Sequence, residues 1–447
     1  MTYAEALAYL DSLQPSVVRL GLERIERLCA RAGHPERQFP AVLIGGTNGK
    51  GSTAAFLAHI FQAAGRRVGM APKPHLITPR ERLQIDGRLV SEAEFAALTA
   101  SVRPLVEAVA ADPAAGQPTY FEVMTLLAFL WFARERIERG VIEVGLGGRF
   151  DATNVLPAEL CIITDVGLDH MDRLGETIPQ IAFEKAGIVK PQGRLVTGAS
   201  GDAWPVIERV AAERGSAVWR LGEEIRIENA HVTATGSDFA VRMPLGAVAG
   251  LHTEMLGEHQ VRNAALAVAA ALWLRDRDPA VTDDAIRTGV AATRVPGRLQ
   301  RVRAQPDVYL DAAHNGDKAR ALAATLRDLL LPARPGRRLY LILGVTRAHA
   351  VAPLLAALAP LATTVIATTN RHPQAYTPAE LAELLRPTGV RVLMAPTPRA
   401  ALELALGEAS PRDLVCVTGS FFTIAELAVT AEGDTGDSPP TPEPPKV

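Results

Sequence analysis

The stretch Gly46-Thr47-Asn48-Gly49-Lys50-Gly51-Ser52 follows the apolar run Ala41-Val42-Leu43-Ile44. This order predicts a buried strand, a glycine-rich turn with one lysine, and a helix that begins near Gly51. Such a turn holds phosphate groups, because glycines let successive backbone N–H groups converge on phosphate oxygens. The helix N-terminus and the Lys50 ammonium add positive charge. The stretch therefore predicts a nucleoside triphosphate site and leaves the reaction open.

The loop departs from the common phosphate-binding loop, in which four residues separate a first glycine from Gly-Lys-Ser/Thr. Ile44 occupies the place of the first glycine, and Gly51 separates Lys50 from Ser52. A glycine-rich turn that binds nothing is the alternative interpretation. The order of strand, lysine, hydroxyl and helix favours the phosphate site.

Composition limits the possible partners of the protein. A formal net charge of −2 over 447 residues gives no reason to expect a nucleic-acid partner. We see no secretory signal pattern and no uncharged run long enough to span a membrane, so we expect no membrane partner. Three widely spaced cysteines in apolar surroundings are typical of buried thiols in a reducing compartment. We therefore expect a cytoplasmic protein, and we take a monomer as the working expectation.

Strand-like and helical segments alternate through the first half of the chain. We predict a helical segment over Thr119–Arg139, strands at Val141–Val144 and Leu160–Val166, and a helix around Ile178–Val189. Short apolar strands between helices indicate parallel βαβ units. Residues 225–250 are instead β-rich with turn residues, which indicates a small antiparallel insert.

The pattern breaks at Val295-Pro296-Gly297-Arg298, and a new alternation follows. We therefore predict an α/β protein in which a mostly parallel sheet domain with a phosphate loop (residues 1–295) precedes a smaller Rossmann-like α/β domain (residues 296–430). Residues 431–447 are rich in proline, glycine and acidic residues, and we predict a disordered tail there. The strands predicted for the second domain are Val308–Asp311, Leu339–Leu343, Thr364–Ala367, Val390–Met394 and Leu414–Val417.

Four further clusters contain polar residues near predicted strands. Glu143 lies inside an apolar strand, where a carboxylate is costly unless it is paired or binds a cation such as magnesium. His170 follows another buried strand, and Lys185 lies in an apolar helical stretch, where a lysine needs a partner or a covalent modification. Spacing alone does not separate catalysis from a structural histidine or a structural Glu–Lys pair. The cluster Asp311–Asn315 by itself favours a capping turn, and a ligand site at a strand end is the alternative.

Together the motifs resemble folylpolyglutamate synthases and dihydrofolate synthases, which belong to the Mur ligase superfamily of ATP-dependent amide-forming ligases. The resemblance covers about residues 1–430. The motifs that carry it occur in the order of the family: Gly46–Ser52, Glu143–Asn154, Gly167–His170, Glu184–Lys190, His259–Ala265, Pro296–Arg298, Asp311–Asn315 and Gly419–Phe422.

The resemblance implies an enzyme that adds L-glutamate to a folate-type carboxylate through an acyl phosphate, with ATP and Mg²⁺ as cofactors. The acceptor would be dihydropteroate, a tetrahydrofolate polyglutamate, or both. A free carboxylate is a poor electrophile, and ATP supplies the leaving group that the amide bond requires. Two alternatives stay open: a nucleotide-binding homologue without ligase activity, and a cell-wall Mur-type amino-acid ligase.

The resemblance also implies a role for each matching residue. Lys50, Lys185 and His314 would be catalytic, with Lys185 as a carbamate. The residues that would hold the nucleotide are Thr47, Asn48, Gly49, Lys50, Gly51, Ser52, Asn263, Arg298 and Asp311. The magnesium ligands would be Ser52, Glu143, His170 and Lys185, and the residues near the incoming glutamate would be His314 and Ser420.

One position departs from the family pattern in a way that concerns the metal. The family commonly has Thr-Ser-Pro-His-Leu after the second strand, and the serine binds a magnesium ion. Here Lys73 replaces that serine, and an ammonium cannot ligate a metal. Lys73 could replace one ion electrostatically, or point away and leave Glu143 to bind through water. A solvated loop lysine is the third interpretation.

Overall fold

A computed structural model describes residues 1–13, 21–347 and 350–428. The chain divides into two compact units. The first comprises residues 1–230, 238–253 and 260–293, and the second comprises residues 231–237, 254–259 and the chain from Arg294 onward. The main division follows Thr293, close to the boundary predicted after Val295, although the domain limits themselves stay a prediction. The tail predicted over 431–447 lies outside the described residues.

The first unit is built on an eight-stranded sheet with the order β4-β3-β2-β5-β1-β6-β7-β8. All neighbours from β2 to β8 in this order pair in parallel, and β3 and β4 add an antiparallel edge. Every residue of β1 and β5 is buried, as expected for central strands covered on both faces. The strands are β1 Ala41–Gly45, β2 Val68–Ala71, β3 Gln84–Ile85, β4 Arg88–Leu89, β5 Arg139–Glu143, β6 Leu160–Ile163, β7 Arg194–Thr197 and β8 Ala217–Arg220.

Ten helices have most or all of their residues in the described part of the first unit. Several begin with a capping box, as at Thr119 and Glu122, where each side chain accepts the backbone N–H of the other residue. The helices are α1 Tyr3–Ser12, α2 Glu23–Arg31, α3 Lys50–Ala63, α4 Glu92–Ala110, α5 Tyr120–Arg134, α6 Met171–Leu174, α7 Ile178–Ala186, α8 Trp204–Glu213, α9 Glu258–Trp273 and α10 Asp283–Ala292.

The β-rich insert predicted near residues 225–250 is a three-stranded sheet. Its strands are β9 Arg226–Val232, β10 Ser237–Met243 and β11 Gly246–Thr253, with the order β11-β10-β9. A turn joins β9 to β10, in which the Thr233 N–H donates to the carbonyl oxygen of Gly236 at 2.8 Å.

The second unit is a six-stranded sheet with the order β12-β13-β17-β14-β15-β16. Four of its five strand pairs are parallel, and only the edge strand β12 pairs antiparallel. The strands are β12 Gln300–Arg303, β13 Asp307–Leu310, β14 Leu339–Leu343, β15 Thr364–Ala367, β16 Arg391–Met394 and β17 Leu414–Thr418. The helices are α11 Gly316–Thr325, α12 Val351–Leu358, α13 Pro378–Leu385, α14 Pro398–Glu408 and α15 Phe421–Ala428.

The predicted α/β class, a mostly parallel sheet domain followed by a smaller α/β domain, is confirmed. Four predicted elements are shorter than expected, one of which is the strand over Val390–Met394, which begins at Arg391. The helix over Thr119–Arg139 ends at Arg134, because Arg139 already begins β5. The strand over Leu160–Val166 ends at Ile163, and the helix around Ile178–Val189 ends at Ala186. Among the described residues, no helix combines the length and apolar character needed to cross a membrane.

Candidate active site

The glycine-rich turn lies between β1 and α3, as predicted. Gly49 precedes the first residue of α3 in the left-handed region, with a φ of 80°, which favours glycine. A Cβ atom on Gly49 would lie 2.2 Å from Oδ1 of Asn263. The absence of a side chain therefore lets Asn263 of α9 approach the turn, and the two predicted nucleotide contacts lie side by side.

Asp165 holds the turn in place. Its Oδ1 accepts the N–H groups of Thr47 (3.0 Å) and Asn48 (2.6 Å), and its Oδ2 accepts the Asn48 side-chain amide at 3.2 Å. Burial raises the pKa of Asp165, and the bonds from Asn48 and the charges of Lys50 and Lys185 oppose this shift. Sequence reasoning assigned no role to Asp165. The available signal was a carboxylate directly after the buried strand β6.

Lys50 and Lys185 meet at a single carbonyl oxygen. Nζ of Lys50 donates to the oxygens of Gly46 (3.0 Å) and Thr47 (3.1 Å), and Nζ of Lys185 donates to the Gly46 oxygen at 2.8 Å. Burial, followed by the charge of Lys50, lowers the pKa of Lys185 to about 7. Lys185 of α7 therefore contacts the phosphate loop. Its neighbour Glu184 instead lies 3.7 Å from Arg149.

Glu143 ends β5 and lies opposite Ile44 of β1. Its side chain is buried, and its Oε2 accepts the backbone N–H of Lys73 at 2.9 Å. A Cβ atom on Gly51 would lie 3.5 Å from this Oε2. The carboxylate is thus close to the first turn of α3, which contains Ser52.

His170 follows β6 and precedes α6 in the left-handed region, with a φ of 49°. Its side chain is 45% exposed. Partial burial lowers its pKa, and Asp169 opposes the shift while the charges of Lys50 and Lys185 add to it. The influence of both lysines places His170 within electrostatic range of the phosphate loop.

The described residues contain no group of three or more His, Cys, Asp or Glu side chains close enough to hold a metal ion by themselves. Magnesium in a nucleotide site needs fewer protein ligands, because it keeps several waters and uses one or two carboxylates together with phosphate oxygens. The Glu143 carboxylate beside the start of α3, together with the Ser52 hydroxyl, matches this simpler donor set. The residues present therefore fit a magnesium–nucleotide complex.

The Nζ atom of Lys73 is buried although the residue as a whole is partly exposed, so the interpretation as a solvated loop lysine is wrong. Its Nζ lies 4.1 Å from the centre of the Phe121 ring. Among the described residues this nitrogen has no hydrogen-bond partner. Burial lowers the pKa of Lys73 to about 8, although the carboxylates of Asp151 and Glu143 favour the ammonium.

The second unit brings its predicted residues to the carboxyl ends of β13 and β17, which are neighbours. Asp311 is partly buried, and its carboxylate accepts the N–H groups of Leu299 and Ala313, both at 2.9 Å. Burial raises its pKa, and the charge of Arg298 opposes the shift. Arg298 itself lies over the ring of Phe421, 4.9 Å from the ring centre.

His314 and Ser420 flank the same edge. The Nδ1–H of His314 donates to the carbonyl oxygen of Ala312 at 2.8 Å, and Lys318 Nζ donates to its Nε2 at 2.9 Å. Ser420 is buried and its Oγ accepts the N–H of Phe422 at 3.2 Å. The Phe421 ring lies 5.7 Å from the His314 ring, so one aromatic residue contacts both Arg298 and His314.

Known protein domains match segments of both units. The Mur ligase middle domain matches residues 44–271, and the Mur ligase glutamate ligase domain matches residues 297–421. The dihydrofolate synthase/folylpolyglutamate synthase of Bacillus subtilis is 40% identical over 329 residues, which cover 73% of this chain and 76% of the relative. The chain belongs to this family of Mur ligases. The predicted family, the enzyme class of ATP-dependent ligase, and ATP with Mg²⁺ as cofactors are thereby confirmed.

Solved structures of the family resemble the whole chain. Mycobacterium tuberculosis folylpolyglutamate synthase complexed with ADP matches with a TM-score of 0.88 at 32% identity, over 97% of this chain and 98% of that chain. E. coli FolC in complex with DHPP and ADP matches with a TM-score of 0.84 at 32% identity, over 96% and 97% of the two chains. Membership in the folate branch does not favour the alternatives of an inactive homologue or a cell-wall ligase.

Proposed function

We propose that this ligase joins L-glutamate to the carboxylate of a folate-type acceptor through an acyl phosphate. The observation that carries the proposal is the position of Lys50, whose Nζ donates to the Gly46 and Thr47 oxygens of the turn, while Glu143 lies close to Gly51 of the same turn. Transfer of a phosphoryl group to a carboxylate brings several negative oxygens together, and fixed positive charge must stabilise them. The family membership indicates that the transfer leads to amide-bond formation.

In this proposal the loop residues Thr47–Ser52 bind the phosphates of ATP. When ATP binds, Nζ of Lys50 donates to phosphate oxygens in place of the carbonyl oxygens of its own loop. It then stabilises the phosphoryl group during its transfer. Asp165 keeps the loop in shape by accepting its N–H groups. Asn263, which abuts Gly49, contacts the nucleotide.

Ser52, Glu143 and His170, with Lys185 as a carbamate, would hold magnesium. The ion would neutralise phosphate charge during the transfer. Carbamate formation requires a neutral amine, and the lowered pKa of Lys185 supports it. The second unit would contribute Arg298 and Asp311 to the nucleotide, and His314 and Ser420 to the incoming glutamate.

We propose dihydropteroate and reduced folate polyglutamates as acceptors, and we propose that the protein acts as a cytoplasmic monomer without a nucleic-acid partner. The two acceptor types differ in where the reacting carboxylate lies: on the aromatic benzoate in dihydropteroate and on a flexible glutamate in the folates. A single assay with both acceptors therefore tests the two activities separately.

The experiment measures ADP release by the purified full-length protein with Mg-ATP. L-glutamate and one acceptor, either dihydropteroate or tetrahydrofolate monoglutamate, are added singly and together. We expect ADP only when glutamate and an acceptor are both present, with one glutamate added per ADP by mass spectrometry. Absence of turnover with both acceptors, in a protein that binds ADP, would refute the proposed function.

A further inference from the structure

The loop that follows β2 places Lys73 beside Glu143. The backbone N–H of Lys73 donates to Oε2 of Glu143 at 2.9 Å. The side chain of the same residue ends in a buried nitrogen that has no hydrogen-bond partner in the described part of the chain. The Lys73 ammonium therefore lies within the length of its own side chain from the backbone amide that bonds to Glu143. Buried charges are normally paired, so a buried ammonium left in this state calls for a functional explanation.

Two carboxylates attract the Lys73 ammonium, Asp151 more strongly than Glu143. However, Oδ2 of Asp151 accepts the N–H groups of Gly145 and Leu146, and its Oδ1 accepts the N–H and hydroxyl of Thr153. The Asp151 carboxylate is thus already bonded by four donors that fix the following loop.

Further positive charge lies in the same region. Arg82 lines the same small cavity as Lys73, along with Phe121 and Phe129. The charges of Arg82 and Lys50 both act on the Lys73 ammonium. A divalent ion that binds Glu143 would therefore enter a region where fixed cations are already concentrated and water is scarce. Repulsion between charges is weakly screened in such surroundings.

We propose that Lys73 is a fixed cation of the phosphate site that lowers the affinity of Glu143 for a divalent metal ion. Lys73 has two effects that do not require a metal. Its backbone N–H orients the Glu143 carboxylate, and its side-chain ammonium supplies positive charge near the phosphate loop. The proposal rests on the proposed role of Glu143 as a metal ligand. It makes Lys73 a positioning residue, and it predicts that the ligase needs a higher free Mg²⁺ concentration than a variant without this charge.

The experiment measures the dissociation constant and the number of bound Mn²⁺ ions by electron paramagnetic resonance, in the presence of a saturating non-hydrolysable ATP analogue. Lys73→Met removes the charge and keeps the length of the side chain, whereas Lys73→Arg keeps the charge. Lys190→Met is the matched control: Lys190 is also a partly buried lysine of the first unit, but it bonds to Asn154, and the titratable groups near it are Cys161 and Arg214. Glu143→Gln tests the ligand itself.

We expect Lys73→Met to bind Mn²⁺ at least about tenfold more tightly, or to gain an ion, as repulsion at this range implies. Lys73→Arg and Lys190→Met should match the unaltered protein. An unchanged Mn²⁺ affinity in Lys73→Met, with a loss of Mn²⁺ in Glu143→Gln, would overturn the inference and leave the proposed function intact. A Glu143→Gln protein that binds Mn²⁺ normally would instead refute the metal assignment. A purely structural Lys73 would lower the unfolding temperature of Lys73→Met without altering metal affinity.

Discussion

Two lysine amino groups that share one carbonyl oxygen are the central feature at the scale of single residues. Lys50 and Lys185 both donate to Gly46, although like charges repel and Lys185 is buried. Burial and the charge of Lys50 lower the pKa of Lys185 to about 7, against the attraction of Asp165 and Asp169. In the proposed function, phosphate oxygens of the nucleotide become the acceptors and relieve this repulsion. The free energy of this relief favours ATP binding and the charge that develops in transfer.

Replacement of Lys50 by alanine removes the ammonium group of the phosphate loop. We expect kcat for ADP release to fall at least about a hundredfold, because electrostatic stabilisation in a shielded site contributes a factor of this size. The fold should persist, since the hydrogen bonds of the Lys50 side chain within the described residues are to carbonyl oxygens of its own loop. The measurement combines the ADP assay with circular dichroism. Normal turnover would exclude Lys50 from phosphoryl transfer.

At the scale of elements, a buried ion pair fastens α2 to α5. Nε of Arg24 lies 2.9 Å from Oε1 of Glu122, and both side chains are more than 90% buried. Glu122 also closes the capping box at the start of α5. Removal of one partner leaves the other as an uncompensated buried charge.

We therefore expect Arg24→Met to lower the free energy of unfolding by about 3–5 kcal/mol. Arg103→Met is the matched control, because its pair with Glu107 on α4 is more than half exposed and exposed pairs contribute at most about 1 kcal/mol. Urea unfolding followed by tryptophan fluorescence measures both variants. Equal losses in the two would mean that burial does not govern this pair.

Asp413 has a comparable role in the second unit, at the turn before β17. Its desolvation alone would raise its pKa, but bonds from Arg338 and from the N–H of Ser410 lower it to about 2. The folded state therefore favours the ionised form, and this stabilisation is complete above the ordinary carboxyl pKa near 4. It is lost as the pH falls from about 4 through about 2.

Asp413→Asn should accordingly be less stable than the unaltered protein by about 2 kcal/mol at pH 7, and the difference should shrink below pH 4. Asp328→Asn is the control, since Asp328 is 55% exposed beside Arg327. Urea unfolding followed by circular dichroism at pH 7 and pH 3 measures the effect. A difference that stays constant between the two pH values would show that ionisation of Asp413 does not contribute.

At the scale of the whole molecule, the sequence predicts elements where burial is strong. Leu339–Leu343 and Thr364–Ala367 match the strands β14 and β15 residue for residue, because each is a short, fully buried run. The edge strand β12 was not predicted, since all four of its residues are exposed and lack an apolar pattern. The two-residue strands β3 and β4 are too short for any periodicity.

The candidate site shows the same limit. Lys50, Glu143 and Lys185 could be found because lysine or glutamate interrupts a glycine-rich or apolar stretch. Asp165 could not, because its bonds to Thr47 and Asn48 join positions more than one hundred residues apart. The orientation of Lys73 toward Phe121 depends in the same way on tertiary packing. Whether such residues act on a ligand depends on which groups surround them in the folded protein, and sequence spacing does not show this.

The distribution of tryptophan offers a test of where the nucleotide binds. The chain has four tryptophans, Trp131, Trp204, Trp219 and Trp273, and all of them belong to the first unit. Trp219 and Trp273 stack with ring centres 4.0 Å apart. Tryptophan fluorescence therefore follows the unfolding of the unit that contains the phosphate loop.

A non-hydrolysable ATP analogue at one hundred times its dissociation constant should raise the free energy of unfolding reported by tryptophan by about 2.7 kcal/mol, because it binds only the folded state. In Gly49→Ala the added methyl group would meet the Asn263 side chain, in a backbone region that favours glycine. We expect the analogue to leave the tryptophan transition of this variant unchanged at the same concentration. A full shift in Gly49→Ala, or no shift in the unaltered protein, would mean that the nucleotide does not bind at the loop formed by residues 46–52.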